Sequence, residues 1–149
     1  MSQLDVLTDL NLASWSTIFV GYTKHWINRE DIFEYAMSQL LNGCDSENVA
    51  IIAGGKYLND EEILDIISKQ INIKDFVVEM DKWRLAFLVC IDQSNDSDEK
   101  KLKRLQEIYA DFDYPEDMAS CSVYSQDGIA PLVAMSQVVK RLKEKLSGR

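Results

Sequence analysis

The sequence predicts an all-α protein of about seven helices, arranged as antiparallel helix hairpins in a single domain over residues 1–149. Apolar residues recur at helical spacing along most of the chain, and capping signals or glycine and proline stops bound these stretches. The connectors are short, which is typical of antiparallel neighbours. A chain of 149 residues with 46% hydrophobic residues is also large enough to bury one core.

The first predicted helix carries an aromatic stripe with the spacing i, i+3, i+4, i+7 and i+11, formed by Trp15, Ile18, Phe19, Tyr22 and Trp26. The second helix begins at a capping box, 28-NRED-31. Its apolar positions run from Phe33 to Leu41, and Gly43 ends it.

Two shorter helices follow. Ser46 caps a helix through Ala53, and the pattern Asn59-x-x-Glu62 starts another helix, whose isoleucines are Ile63, Ile66, Ile67 and Ile71. Residues 32–71 therefore look like two stacked helix hairpins, which suggests an α-solenoid-like stack. No fixed internal period of the kind that marks true repeats is present.

The run 83-WRLAFLVCID-92 is compatible with a buried strand or a buried helix. We predict a helix because leucine and alanine outweigh the β-branched residues and no partner strand is evident. Asp98 caps the next helix, whose apolar stripe ends at Phe112 and which Pro115 terminates. The last helix starts at Pro131 and has a basic outer face.

Charge is distributed unevenly along the chain. The formal net charge is −9, but the tail Lys140–Arg149 holds five basic residues and one acidic residue, which leaves 11 basic and 24 acidic residues in the body, a charge of −13. Such a body repels nucleic acid and anionic membranes and attracts basic proteins. The N-terminus lacks the pattern of a signal peptide and no apolar stretch is long enough to cross a membrane, so we expect a cytoplasmic protein.

No motif predicts a catalytic, cofactor or metal site. His25 is the only histidine and has no evident partner, and the segment 53-AGGKY-57 lacks the spacing of a phosphate loop. The segment 92-DQSNDSDEKKLK-103 lacks the glycine and the glutamate that a calcium loop needs. The three cysteines are far apart and form no paired motif. We therefore expect no cofactor, no bound metal and no enzymatic activity.

Four carboxylates surround a Tyr-Pro step in the stretch 109-YADFDYPED-117. Asp111 and Asp113 lie at the negative end of a helix dipole, which costs about a few tenths of a kcal/mol each and so favours a role other than helix stability. Glu116 and Asp117 have another explanation, because a short helical turn that starts at Pro115 would place both at its favourable end.

Two separated blocks of this chain resemble a bacterial family of unknown function, numbered 2247. They are 15-WSTIFVGYTKHWINREDIFEYA-36, and 82-KWRLAFL-88 followed by 107-EIYADFDYPEDM-118. The resemblance extends to about Tyr124. It implies a mainly helical cytoplasmic protein and supplies no catalytic residue. After the PED element this chain has 119-ASCSVYS-125 in place of a further apolar and aromatic patch, which departs from the family pattern.

By analogy with small acidic bacterial proteins encoded beside secreted toxins, we expect an immunity protein that neutralises a basic toxin, such as a nuclease, through an acidic surface. Aromatic anchors among charged residues are common at interfaces. The expected partner-binding residues are Asp111, Asp113, Tyr114, Glu116 and Asp117, with a second patch at Asp60, Glu61 and Glu62.

Two other functions stay open. A small helical adaptor that binds a peptide or subunit would show an exposed apolar groove and partner binding that is insensitive to salt. An enzyme that uses the Asp/Glu cluster ranks last, because no nucleophile, base or ligand set has the required spacing. The sequence indicates neither the oligomeric state nor the identity of the partner.

Overall fold

The computed structural model describes residues 2–71 and 76–148, and over these residues it is helical without any strand. The helices are α1 Gln3–Asp9, α2 Trp15–Thr23, α3 Arg29–Leu41, α4 Glu47–Ala53, α5 Asp60–Ser68, α6 Phe76–Gln93, α7 Asp98–Asp111 and α8 Pro131–Ser147, with a 3₁₀ helix at Glu116–Cys121. The predicted all-α class is therefore confirmed, and the number of helices is close to the expected seven.

Differences from the prediction concern helix ends and one short helix. Helix α1 was not predicted, because it has seven residues and buries only Val6 and Leu7, too few for a periodic signal. Helix α6 confirms the choice of helix over strand and begins at Phe76, earlier than its apolar run. Helix α7 is capped by Ser97, one residue before the predicted cap.

The chain forms two compact units. The continuous unit is Ala13–Glu79, and the discontinuous unit joins Met1–Leu12 to Met80–Arg149. Both have a buried apolar core: in the continuous unit α3 packs on α4, and α5 packs on α2 and α4. In the discontinuous unit α8 packs on α7 and on the 3₁₀ helix. The single domain, and the α-solenoid-like stack, remain predictions.

Four helices end in the same backbone motif, in which the residue after the C-cap has a positive φ angle. These residues are Asn11, His25, Gly43 and Asp113, which follow α1, α2, α3 and α7. At each end, two successive N–H groups donate to carbonyls of the last helical turn three and five residues back, which is the Schellman pattern. The exposed His25 is thus part of a helix stop.

Candidate functional site

The acidic stretch 109–117 is held by the C-terminus of α7. The Asp113 N–H donates to the Ala110 carbonyl at 3.0 Å, and the Tyr114 N–H donates to the Tyr109 carbonyl at 2.9 Å. Asp113 and Tyr114 have φ angles of +60° and +53°, so two consecutive non-glycine residues occupy the left-handed region. This turn directs the chain away from the helix before Pro115.

Ring contacts fix the aromatic side chains of the turn. The Tyr114 ring packs edge-on against Tyr109 at a centroid distance of 5.1 Å, yet 61% of the residue is exposed. Phe112 is more buried and packs against Phe87 at 6.1 Å. Tyr114 is therefore supported on one side and open to solvent, as a rigid aromatic anchor must be.

Asp117 takes part in a buried charge network. Arg84 is 5% exposed, and its Nη1 and Nη2 atoms bind Oδ1 and Oδ2 of Asp117 at 2.5 and 3.0 Å. The same Nη2 donates to Oδ1 of Asp81 at 3.1 Å, and Lys145 Nζ reaches the other Asp81 oxygen at 2.9 Å. Burial lowers the pKa of Arg84, but hydrogen bonds to Asp117 and Asp81 and their charges raise it above its ordinary value.

The four predicted carboxylates therefore divide into two kinds. Asp117 is already neutralised by Arg84, and its backbone carbonyl also accepts a hydrogen bond from Arg141 at 3.5 Å. In contrast, Asp111, Asp113 and Glu116 are exposed and form no ion pair with any described residue. We call these three carboxylates, together with Tyr114, the acidic surface.

The second predicted patch lies at the start of α5, in the continuous unit. Asp60 accepts hydrogen bonds from the Tyr22 hydroxyl and from Arg29 Nη1, the latter at 3.2 Å. Glu62 closes the capping box by accepting the Asn59 N–H at 3.1 Å. All three predicted carboxylates are exposed, and Glu61 alone has no such structural role among the described residues. Asp60 and Glu62 stabilise their own unit.

Among the described residues, no group of three or more His, Cys, Asp or Glu side chains is arranged to hold a metal ion. Burial raises the pKa of Cys121 to about 11, with a further contribution from the charge of Asp117, and burial also raises the pKa of Cys90. Both thiols are thus disfavoured as thiolates at neutral pH. Within the described part of the chain, no helix is both long and apolar enough to cross a membrane.

Sequence reasoning missed Arg84 as the partner of the acidic stretch. A signal was present, because Arg84 is the only charged residue in the apolar run from 83 to 91 and a buried arginine requires a carboxylate. The sequence could not supply the partner, since Asp117 lies 33 residues away along the chain. Part of the basic tail also packs on this region through Arg141 and Lys145, while Arg149 lies outside the described residues.

Comparisons with known proteins identify the family. No curated protein and no solved structure matches the chain significantly. A family match covers residues 5–147 and so continues past Tyr124, where the resemblance in the sequence blocks ended. Because this match spans nearly the whole chain, the protein belongs to the family described as "Uncharacterized protein conserved in bacteria (DUF2247)".

Proposed function

We propose that this chain is a non-enzymatic binding protein that neutralises a basic bacterial toxin, such as a nuclease, by covering its active site with the acidic surface. The observation that carries the proposal is the set of three exposed carboxylates, Asp111, Asp113 and Glu116, which have no ion partner among the described residues and surround the exposed Tyr114. The acidic surface supports binding of a basic partner. The proposal that this partner is a toxin rests on the analogy with small acidic immunity proteins of bacteria.

Electrostatics supports a nuclease as the partner. Nuclease active sites attract phosphate, so a carboxylate surface is attracted by the same positive field and associates quickly. Backbone hydrogen bonds order the turn at Asp113 and the ring contact orders Tyr114 before binding, which reduces the entropy lost on association. Tyr114 would be the anchor, and the carboxylates would form its charged rim.

Co-purification tests the proposal. The tagged chain is expressed in its native bacterium, bound proteins are washed at low and high salt, and the retained proteins are identified. We expect a basic toxin domain that salt releases and that loses its toxicity when co-expressed with this chain. Recovery of no protein, or of a partner that salt does not release, contradicts the proposal.

Matched variants locate the binding surface. D111N/D113N/E116Q removes three negative charges while retaining side-chain size, and asparagine tolerates the φ angle at position 113. The control D9N/D45N/D96N removes three charges that are likewise exposed, at other places on the chain. We expect the first variant to reduce toxin binding by about tenfold or more and the control by less than about twofold. Equal effects would show that net charge, rather than this surface, attracts the partner.

Tyr114→Ala should weaken toxin binding by about 2 kcal/mol or more if this ring is the central anchor. The side chain is exposed, so the chain is expected to keep its fold, which circular dichroism checks. Unchanged affinity for the toxin would remove Tyr114 from the interface.

A second candidate function, a small helical adaptor, is favoured by a separate observation. The continuous unit exposes large apolar side chains, including Met37, Leu41 and Tyr57. An adaptor that uses such residues would hold its partner at high salt, whereas the toxin complex would dissociate.

A further inference from the structure

Helix α3 exposes an apolar stripe on the surface of the continuous unit. Phe33, Met37 and Leu41 are spaced at i, i+4 and i+8, so they lie along one side of the helix over roughly 12 Å. Phe33 is half-buried, Met37 is 46% exposed and Leu41 is 81% exposed. The core of the unit uses a different side of the same helix, through Ile32 and Ala36.

The N-terminal end of this stripe opens into a cleft. Phe33 lines the cleft together with Tyr57 and Leu58 of the α4–α5 connector, and Tyr57 is 98% exposed. The remaining lining is polar or charged: Arg29, Glu30, Lys56 and Asn59. Arg29 stabilises the wall: its guanidinium lies 5.7 Å from the Phe33 ring centroid and donates to the Leu58 carbonyl. The cleft and the stripe share Phe33, and we call the stripe and the apolar wall of the cleft, formed by Phe33, Tyr57 and Leu58, the α3 face.

The charge at the cleft end of the α3 face is mixed, because Arg29 and Lys56 line the cleft beside Glu30, and of these two cations only Arg29 is paired with a described residue, Asp60. Along α3 itself the exposed charges beside the stripe are negative. Glu30 and Glu34 are exposed, lie one turn apart on α3 and form no ion pair with a described residue. Within the whole continuous unit, eleven acidic residues stand against five basic residues. An apolar stripe flanked by carboxylates is complementary to a helix that has an apolar stripe flanked by lysine or arginine.

We propose that the α3 face is a docking site for a basic amphipathic α-helix of a partner protein. Leucine-sized side chains of that helix would pack against Phe33, Met37 and Leu41, and its basic residues would pair with Glu30 and Glu34. The length of the face matches two to three helical turns of such a partner. This inference gives the adaptor function a surface and a partner class, and it does not depend on the acidic surface or on a toxin.

A peptide titration tests the proposal. The probe is a fluorescent amphipathic peptide of about 18 residues with leucines at helical spacing and lysines on the flanks, and its partner probe has glutamate in place of each lysine. Both are titrated into the full chain and into M37Q/L41Q. The control V77Q/V133Q makes the same type of change at two other exposed aliphatic residues on helices.

We expect saturable binding of the basic peptide that M37Q/L41Q weakens by about tenfold or more and that the control alters by less than about twofold. The acidic peptide should bind at least about tenfold more weakly than the basic one. Absence of saturable binding, equal affinity for both peptides, or an unchanged affinity in M37Q/L41Q would overturn the proposal.

Two further measurements test whether a second copy of the chain occupies the α3 face and whether the peptide binds elsewhere. If sedimentation of the chain alone shows a dimer that M37Q/L41Q dissociates, the α3 face binds a second copy and the proposal is overturned. If D111N/D113N/E116Q abolishes peptide binding while M37Q/L41Q does not, the peptide binds the acidic surface instead. That result would overturn the docking site and leave the toxin proposal in place.

Discussion

At the scale of single residues, the backbone conformation of Asp113 explains much of the acidic stretch. Three of the four Schellman positions carry Asn, His or Asp, the non-glycine residues most often found at positive φ, and the fourth carries Gly43. These residues stop helices, which accounts for the positions of His25 and Asp113 in the fold. The exposed carboxylate of Asp113 remains available to a partner.

Replacing Asp113 by glycine should stabilise the protein. An L-residue at φ +60° carries a steric penalty that glycine lacks, and the gain in the free energy of unfolding is expected to be about 0.5–1 kcal/mol. Asp111→Gly is the matched control: that residue is helical, so the same substitution should destabilise by about 0.5–1 kcal/mol. Urea denaturation measures both, and equal signs would contradict the assigned turn.

Ionisation of Tyr22 should make the free energy of unfolding fall at alkaline pH. Burial, followed by the hydrogen bond to Asp60 and its charge, raises the pKa of Tyr22 from 10.0 to about 12. The folded state therefore holds this proton more tightly than the unfolded state, so the stabilisation is complete below pH 10 and is lost as pH rises to about 12. Tyr22→Phe should remove this part of the pH dependence.

Tyrosinate absorbance, taken as the difference between the chain and Tyr22→Phe, measures the pKa directly. Asp60→Asn should lower the pKa of Tyr22 only in part, since burial is the largest cause and remains in the variant. A pKa near 10 in the unmodified chain would show that Tyr22 and Asp60 do not interact in solution.

At the scale of secondary-structure elements, one buried cation joins three segments of the discontinuous unit. Arg84 on α6 binds Asp117 of the 3₁₀ helix, and Lys145 on α8 binds Asp81, the other partner of Arg84. Arg84 and Asp81 are buried, whereas Asp117 and Lys145 are about half exposed. Buried charges are tolerated only when paired, so Arg84 and Asp81 depend on these partners. The network therefore holds the segment that follows the acidic surface.

Arg84→Met should destabilise the protein by about 1.5–3 kcal/mol, because it removes the cation paired with the half-exposed Asp117 and one of the two cations paired with the buried Asp81, which keeps Lys145. Arg104→Met is the matched control, since the Arg104–Glu107 pair is about half exposed on both sides and should contribute about 1 kcal/mol or less. Chemical denaturation compares the two variants.

A double-mutant cycle then tests whether the stability lost in Arg84→Met comes from the Arg84–Asp117 pair. Adding Asp117→Asn to Arg84→Met should cost less than Asp117→Asn does alone, because its counterion is already absent. Strict additivity of the two changes would mean that the Arg84–Asp117 pair does not form in solution.

At the scale of the whole molecule, helix α6 is expected to make the two units unfold together. It begins in the continuous unit and ends in the discontinuous unit, with the boundary between Glu79 and Met80. Breaking either unit would remove support from part of the same helix, whose formation is cooperative. If the chain is a single domain, both units should therefore unfold in the same transition.

We expect one unfolding transition, in which near- and far-ultraviolet circular dichroism coincide. Ile67→Ala and Leu105→Ala remove fully buried side chains, one in each unit, and each should lower the stability of that single transition by about 2–5 kcal/mol. Two transitions, each shifted by only one of the substitutions, would contradict the single domain.

The candidate sites differ in how far the sequence could predict them. The exposure of Asp111, Asp113 and Tyr114 followed from a helix end before a proline, which is a local signal. The pairing of Asp117 with Arg84 and of Asp60 with Tyr22 depends on contacts between residues 33 and 38 positions apart. The α3 face was not predicted from the sequence, because Met37 and Leu41 continue an apolar repeat and so resemble core residues.

Local signals in the sequence are enough to assign the all-α class, the ends of most helices and the group of carboxylates near residue 113. Helical periodicity, capping and turn preference act over a few neighbouring residues, so they can be read without the fold. Tertiary structure decided which carboxylates Arg84 and Arg29 neutralise and which apolar residues of α3 stay exposed. Those outcomes depend on long-range packing, because a charge or an apolar side chain acquires its environment only when distant segments of the chain meet.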